Sequence, residues 1–289
     1  MRKYGVNFFD WDGTAVLSRT APTNKVIEAM EPLLQTGTQL VIISGTSYNN
    51  IAAGKLAEHF APKLRSNLYM GLGRGAHNYS YDGDGNVAML DGITPDRATL
   101  AKLHRTCFDL HEHLFEKYGY NTDIVFSREN YCKIDLGPDM DRGEHLFFKS
   151  GELERINDRL SEHGYKDGIR GLFDLAETVG KENGIAVKST TDAKFLEVGF
   201  GTKSDNVNTI LSHLETKYGV IADDCCFWGD EFLQMGEGIF GSDAFMITEK
   251  TKDCDFFDIS EAEGTRPPQV QHLGGGVERF LAFLHEQAK

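Results

Sequence analysis

Two aspartates stand one residue apart where an apolar run ends. The stretch FFDWDGTAV, residues 8–16, carries Asp10 and Asp12 and then turns at Gly13. In an extended segment the side chains of residues i and i+2 project to the same side. Like charges held that close disfavour each other unless a cation or a substrate uses them. A strand end leading into an Asp-Gly turn is the plainer alternative. A calcium loop does not fit, because an EF-hand alternates acidic ligands and places glycine only after the third of them. Here Gly13 follows the second aspartate at once.

Two further polar groups follow apolar runs. LVII (40–43) leads into Ser44-Gly45-Thr46, and CCFW (225–228) leads into Gly229-Asp230-Glu231. In open parallel sheets, ligands bind beyond the carboxyl ends of the strands. Several carboxylates at such an edge make a hard oxygen site suited to Mg²⁺, with room left for phosphate and water. Ser44, read as opening a helix, would offer a hydroxyl and backbone N–H groups to an anion; a simple helix cap is its ordinary alternative. Lys203 falls just before or within the first turn of a helix starting near 204, where a cation opposes the macrodipole at about 0.3–1 kcal/mol. A solvent-facing lysine is the ordinary reading there. A phosphate-binding lysine that balances the aspartates is the functional one.

These groups need elements to hold them. Residues 5–9, 40–43 and 67–73 read as strands. Residues 23–35 read as a helix, with Val26, Ile27, Met30, Leu33 and Leu34 on one face and Gly37 at its end. The alternation indicates a parallel sheet covered by helices. The style then changes. AHNYSYDGDGNVAML (76–90) reads as a hairpin around an Asp-Gly-rich turn. A long helix follows Thr94-Pro95, then strands near 123–127 and 131–136, a helix near 149–163, and strands near 185–189 and 194–200. After 200 the first style returns, with a helix from about 204, strands at 225–228 and 244–247, and a last helix near 276–287. The expected fold is α/β: a Rossmann-like parallel-sheet core, residues 1–80 and 190–289, interrupted by an inserted α+β cap domain, residues 81–189. The 289-residue length suits such an insertion.

Composition narrows the partners. The formal net charge is −14, which argues against nucleic acid or an anionic membrane as the main partner; an anionic small substrate would need locally placed cations or a metal. No apolar run is long enough to span a bilayer, and Met1-Arg2-Lys3-Tyr4 leads into a strand rather than a signal peptide. The five cysteines show no CxxC spacing and read as reduced thiols of a cytoplasmic protein. GEGIFG (236–241) and GLGRGA (71–76) match dinucleotide-loop patterns by letter, but neither lies between a strand and a helix.

DWDGT after an apolar strand, VIISGTS about thirty residues on, Lys203 opening a late helix, and FWGDE after another strand together resemble the haloacid dehalogenase superfamily of aspartyl phosphatases and phosphotransferases. All four of its motifs occur in order. The insertion looks like the family's C2-type cap, and GLGRGAHNYSYDGDG resembles the hairpin entrance to that cap in the sugar-phosphatase branch. The resemblance implies Asp10 as nucleophile and Asp12 as general acid and base. It implies Ser44, Gly45 and Lys203 as phosphate ligands. It implies a Mg²⁺ held by Asp10, the Asp12 backbone carbonyl and Asp230, with Asp243 in GSDAFMI, or else Glu231, completing the shell. FSRENYCKIDLG (126–137) resembles a substrate-binding strand of the phosphomannomutase-like branch, which would put Arg128, Asn130 and Lys133 on the substrate's distal end; a charged edge strand is the alternative. The implied activity is a Mg²⁺-dependent phosphohydrolase acting on a small phosphorylated metabolite, a sugar phosphate. A phosphotransferase of the mutase kind and a silent phospho-ligand-binding regulator are the alternatives.

Overall fold

The computed structural model describes residues 2–140, 151–236 and 238–289. The start of the helix expected over 149–163, and one residue of the 236–241 glycine stretch, lie outside the described residues.

The chain forms two compact units. The first comprises residues 1–92, 203–234 and 243–289, and the second residues 93–202 and 235–242. In the first unit, β1 (Val6–Phe9), β2 (Gln39–Ser44) and β3 (Leu68–Leu72) are buried along their whole length, as strands covered on both faces must be. Helix α1 (Asn24–Thr36) lies between β1 and β2, burying Val26, Ala29, Met30, Leu33 and Leu34, and ends at Gly37 with φ +89°. A short helix α2 (Pro62–Arg65) precedes β3. A hairpin of β4 (His77–Tyr81) and β5 (Val87–Leu90) follows it.

The second unit starts with α3 (Arg97–Tyr118), capped by Asp96, whose Oδ1 accepts the Thr99 N–H at 2.7 Å. It continues through β6 (Asp123–Val125), β7 (Tyr131–Asp135), α4 (Glu152–Glu162), α5 (Gly168–Glu182), β8 (Lys188–Thr191) and β9 (Phe195–Gly199). The strands make an antiparallel sheet in the order β6-β7-β9-β8. Leu103, Cys107, Leu110 and Leu114 of α3 pack with Ile169, Leu172 and Ala176 of α5 in a core of their own.

The chain then returns to the first unit as α6 (Lys203–Tyr218) and β10 (Cys225–Gly229). A small pair, β11 (Gln234–Gly236) and β12 (Ile239–Phe240), comes next. The last elements are β13 (Asp255–Asp258), β14 (Val270–His272) and α7 (Gly276–Gln287). The large sheet runs β14-β13-β10-β1-β2-β3-β4-β5, parallel from β14 through β3 and antiparallel in the final hairpin. Chain order reverses at β1, so the crevice beyond its carboxyl end is where such sheets bind ligands.

The α/β class is as the sequence indicates, but four local features differ. No regular helix follows Ser44. Residues 48–59 form only 3₁₀ turns, and Ala52 and Ala53 have φ of 47° and 54°, which breaks any helix there. Residues 244–247 are not a strand: 244–246 belong to the 3₁₀ turn Ser242–Met246, which buries Asp243 and Met246, and Ile247 follows it. The sequence reading left out α5, whose Ile169, Leu172, Ala176 and Val179 have helical spacing but share the segment with Gly168, Gly171 and Gly180. The 77–90 hairpin belongs to the first unit, because β4 pairs with β3 through Met70↔Tyr79, Gly71↔Asn78 and Leu72↔His77.

Candidate active site

Aromatic side chains fix the strand ends that carry the carboxylates. Phe8, Phe227 and Phe256 stack across β1, β10 and β13 at 4.5 and 4.7 Å on the face covered by α6. One residue on, Phe9, Trp228 and Phe257 line the opposite face with Phe280 and Phe283 of α7. Each aromatic contact adds roughly 0.5–1.5 kcal/mol beyond its buried area. The backbone is therefore rigid at the points where Asp10 leaves β1 and Asp230 leaves β10. The Asp10 N–H also donates to the Trp228 carbonyl at 3.0 Å, tying the two strand ends together.

Lys203 is the hub. Its Nζ donates to Asp10 Oδ1 at 2.8 Å and to Asp243 Oδ1 at 2.7 Å, with all three side chains buried. The other Asp243 oxygen accepts the backbone N–H groups of Asp230 at 2.9 Å and Glu231 at 2.8 Å. Asp230 Oδ1 accepts the Thr14 hydroxyl at 2.8 Å. Gly229 lets this turn close, since a Cβ there would overlap the Asp243 carboxylate. Burial lifts the Asp10 carboxyl well above its usual range, against the pull of Lys203, and Asp243 adds repulsion. Asp230 is raised for the same first reason, with Asp243, Glu231 and Asp10 adding to it. Burial by itself would lower Lys203, but Asp10 and Asp243 outweigh it and the ammonium is held charged.

The donor set suits a hard divalent cation. Asp10, Asp230 and Asp243 each offer a carboxylate oxygen, all within 4.8 Å of one another. Both Asp243 oxygens already have partners, so this residue chiefly holds Lys203 and the 229–231 turn. Among the described residues, Oδ2 of Asp10 and Oδ2 of Asp230 are the oxygens of this group without a hydrogen-bond partner. Glu231 is not a member of this group.

Asp12 is held apart from it. Its Oδ2 lies 3.4 Å from the Arg19 guanidinium, and its Oδ1 is buried without a hydrogen-bond partner among the described residues. Burial raises its carboxyl, opposed by Arg19 and Lys203. A carboxyl whose proton affinity is raised in this way is better suited to proton transfer than an ordinary aspartate. Between the aspartates and Thr14, Gly13 takes φ +91°, and a Cβ there would collide with the Asp230 carboxylate. Gly13→Ala is thus expected to cost about 1–3 kcal/mol of stability and to lower any activity that uses Asp230. Thermal melts and phosphate release measure both, and a variant matching the parent in each would overturn this packing argument.

Ser44 is buried at the end of β2, and its Oγ accepts the Thr46 N–H at 3.3 Å. Without a helix behind it, the Ser44-Gly45-Thr46 turn offers its own groups rather than a helix N-terminus. Asn206 of α6 is fully buried beneath the neighbouring loop, where its Oδ1 accepts the Gly75 N–H at 2.7 Å and its Nδ2 donates to Asn78 Oδ1 at 2.8 Å. Thr14, Arg19 and Asn206 escaped the sequence reading, since a lone Thr, Arg or Asn in such a segment carries no spacing signal. In the second unit, Lys133 Nζ pairs with buried Glu197 at 2.9 Å, Asn130 is buried with its carbonyl accepting the Phe200 N–H at 3.0 Å, and Arg128 is half-buried.

No family model matches the sequence, and no curated protein matches it. Solved structures do. The chain is similar to the IMP-nucleotidase of Plasmodium falciparum in a mutant IMP-bound form, with a TM-score of 0.58 and 13% identity over 99% of this chain and 68% of that one. The ATP-bound form of that enzyme aligns at a TM-score of 0.55 and 14% identity, covering 98% and 60%. A Streptococcus mutans protein aligns over 98% of both chains at 0.54 and 12%. The shared feature is the fold, an α/β architecture with a large parallel sheet. None of the described helices is long and apolar enough to cross a membrane.

Proposed function

We propose that this chain is a divalent-metal-dependent phosphohydrolase that works through an aspartyl-phosphate on a small phosphate monoester. The observation that carries this reading is Lys203 clamped between Asp10 and Asp243, with Asp230 beside them. Such a cluster of buried like charges is costly unless a cation and an anion are its purpose. Lys203 occupies one Asp10 oxygen, so Oδ2 is the atom that attacks phosphorus as the bond to the leaving oxygen breaks. Asp12 gives its proton to that oxygen, then takes one from the water that cleaves the aspartyl-phosphate and frees inorganic phosphate. Ser44, Gly45 and Lys203 hold the phosphoryl oxygens. Mg²⁺ held by Asp10, Asp230 and the Asp12 carbonyl, with Asp243 behind them, would screen the approach of carboxylate to phosphate dianion.

A sugar phosphate is the first substrate reading, from the motifs of the sugar-phosphatase branch. A nucleoside monophosphate is the second, favoured by the IMP bound in the similar nucleotidase structure. Arg128, Asn130 and Lys133 are the proposed contacts to the substrate's distal end. The compartment we propose is the cytoplasm, in keeping with cysteines that are all free and buried.

The test is phosphate release from a panel of sugar phosphates and nucleoside monophosphates with Mg²⁺. Release should vanish in EDTA and return with Mg²⁺ but not with Ca²⁺, which seeks more oxygen ligands and would compete for the Asp10 oxygen needed for attack. Turnover undiminished in EDTA would refute the metal requirement, and no release from any ester would refute the phosphohydrolase.

A further inference from the structure

We propose that β5 is a homodimer interface, across which a second copy of this chain adds its own β5 in antiparallel register. β5 ends the large sheet. At the mouth of its hairpin the Asp82 N–H donates to the Asn86 carbonyl at 2.9 Å. Bonded pairs alternate along an antiparallel ladder, so Ser80↔Ala88 and Asn78↔Leu90 carry the bonds between β4 and β5. Val87 and Met89 fall between those pairs and turn their N–H and C=O groups outward. These groups have no hydrogen-bond partner among the described residues. The two side chains are 54% and 50% exposed. Sheet edges are ordinarily blunted by charge, proline or a bulge. The opposite edge is blunted, since β14 follows Pro267-Pro268 and exposes Gln271 and His272. VAML, residues 87–90, has no such device and pairs with β4 without a bulge.

This edge is complementary to itself. A two-fold axis through Ala88 sets Val87 of each copy opposite Met89 of the other, at positions where antiparallel neighbours exchange two bonds. Every outward group of the two residues is then satisfied. Tyr81↔Val87 and Tyr79↔Met89 are in register within one copy. The apolar row Tyr81, Val87 therefore continues across the join into Met89 and Tyr79 of the second copy, as favourable cross-strand pairs. Ala88 meets itself, and its small side chain suits that close approach. Charge favours the same register. Exposed Asp91 comes opposite Gly85 of the second copy, and the Gly85 carbonyl accepts Arg65 Nη1 at 3.3 Å. α2 lies against that turn, with Pro62 Cα 2.7 Å from where a Cβ on Gly85 would be. Lys63 and Arg65 of α2 thus offset Asp82 and Asp84 of the turn, and the guanidinium is left facing Asp91.

The test is sedimentation equilibrium of the full-length protein between about 1 and 100 µM. At the upper end the parent should weigh twice its 32.2 kDa chain. Met89→Lys puts a charge on the edge, Met89→Pro removes an outward N–H while sparing the bonds to β4, and Asp91→Lys opposes Arg65. Each should raise the dimer dissociation constant by about tenfold or more. In the parent, the Val87 and Met89 amide hydrogens should exchange more slowly as concentration rises, while that of Ala88, which already faces Ser80, should not change. A parent that stays monomeric throughout would overturn the proposal and leave the edge to a strand of another protein. A dimer that all three variants leave unchanged, or that slows exchange at neither amide, would place the interface elsewhere. Association that continues past two copies would exclude the closed two-fold pair. None of these measurements depends on phosphate release, so the outcome is separate from that of the phosphohydrolase reading.

Discussion

Asp10→Asn is expected to lower turnover by about four orders of magnitude or more, as loss of a group that acts as part of a catalytic unit does. The substitution keeps the volume and one oxygen but removes the attacking oxygen Oδ2 and the charge that would help hold a metal. Its effect on stability should run the other way. Asp10, Asp230 and Asp243 crowd within 4.8 Å of one another with one ammonium bonded to two of them, and burial disfavours the Asp10 charge before any neighbour is considered. Deleting that charge leaves Lys203 paired with Asp243 at 2.7 Å. In EDTA, the variant should therefore melt at or above the temperature of the parent. Residual phosphate release within about tenfold of the parent would sink the nucleophile assignment. A large drop in melting temperature would show instead that Asp10 is a structural partner of Lys203.

Lys203→Met should have the opposite stability signature. Removing one member of a buried charge cluster leaves the rest uncompensated, at a cost of roughly 3–5 kcal/mol. Here the orphans are Asp10 and Asp243, both buried. Adding Asp243→Asn to Lys203→Met should recover part of that loss, because it removes one orphaned charge while the amide can still accept the Asp230 and Glu231 N–H groups. Activity should not recover. The rate should fall by a similar factor for every phosphate ester in the panel, since the phosphoryl group is what all of them share. A change in the ranking of esters would place Lys203 on the leaving group. A double variant no more stable than Lys203→Met would remove the argument that the lysine exists to balance these carboxylates.

The local grammar of a strand end was enough to put Asp10, Asp12, Ser44 and Asp230 at the carboxyl edge of the sheet. Each follows an apolar run in the sequence, and buried parallel strands place their next residues at the ligand-binding edge. Lys203 was legible for a similar reason, because a cation at a helix start is unfavourable by itself and asks for a partner. Which partner was not legible. Lys203 meets Asp10 across 193 residues of chain and Asp243 across 40, and no spacing rule connects them. The turn that buries Asp243 shows the same limit. AFMI has the composition of a strand, yet here Asp243 is drawn in to cap the 230–231 backbone, so burial of a carboxylate set the conformation. Ser44 fails in the other direction: its sequence promised a helix, and left-handed alanines at 52 and 53 replaced it with 3₁₀ turns. The Asp12–Arg19 contact, Thr14 on Asp230 and Asn206 under Gly75 likewise exist only once the strands are aligned. The sequence determined which groups reach the edge of the sheet, because that depends on period and burial within single elements. Tertiary structure alone decided which carboxylate is open and which is committed, because hydrogen bonds between elements distant in the chain settle that.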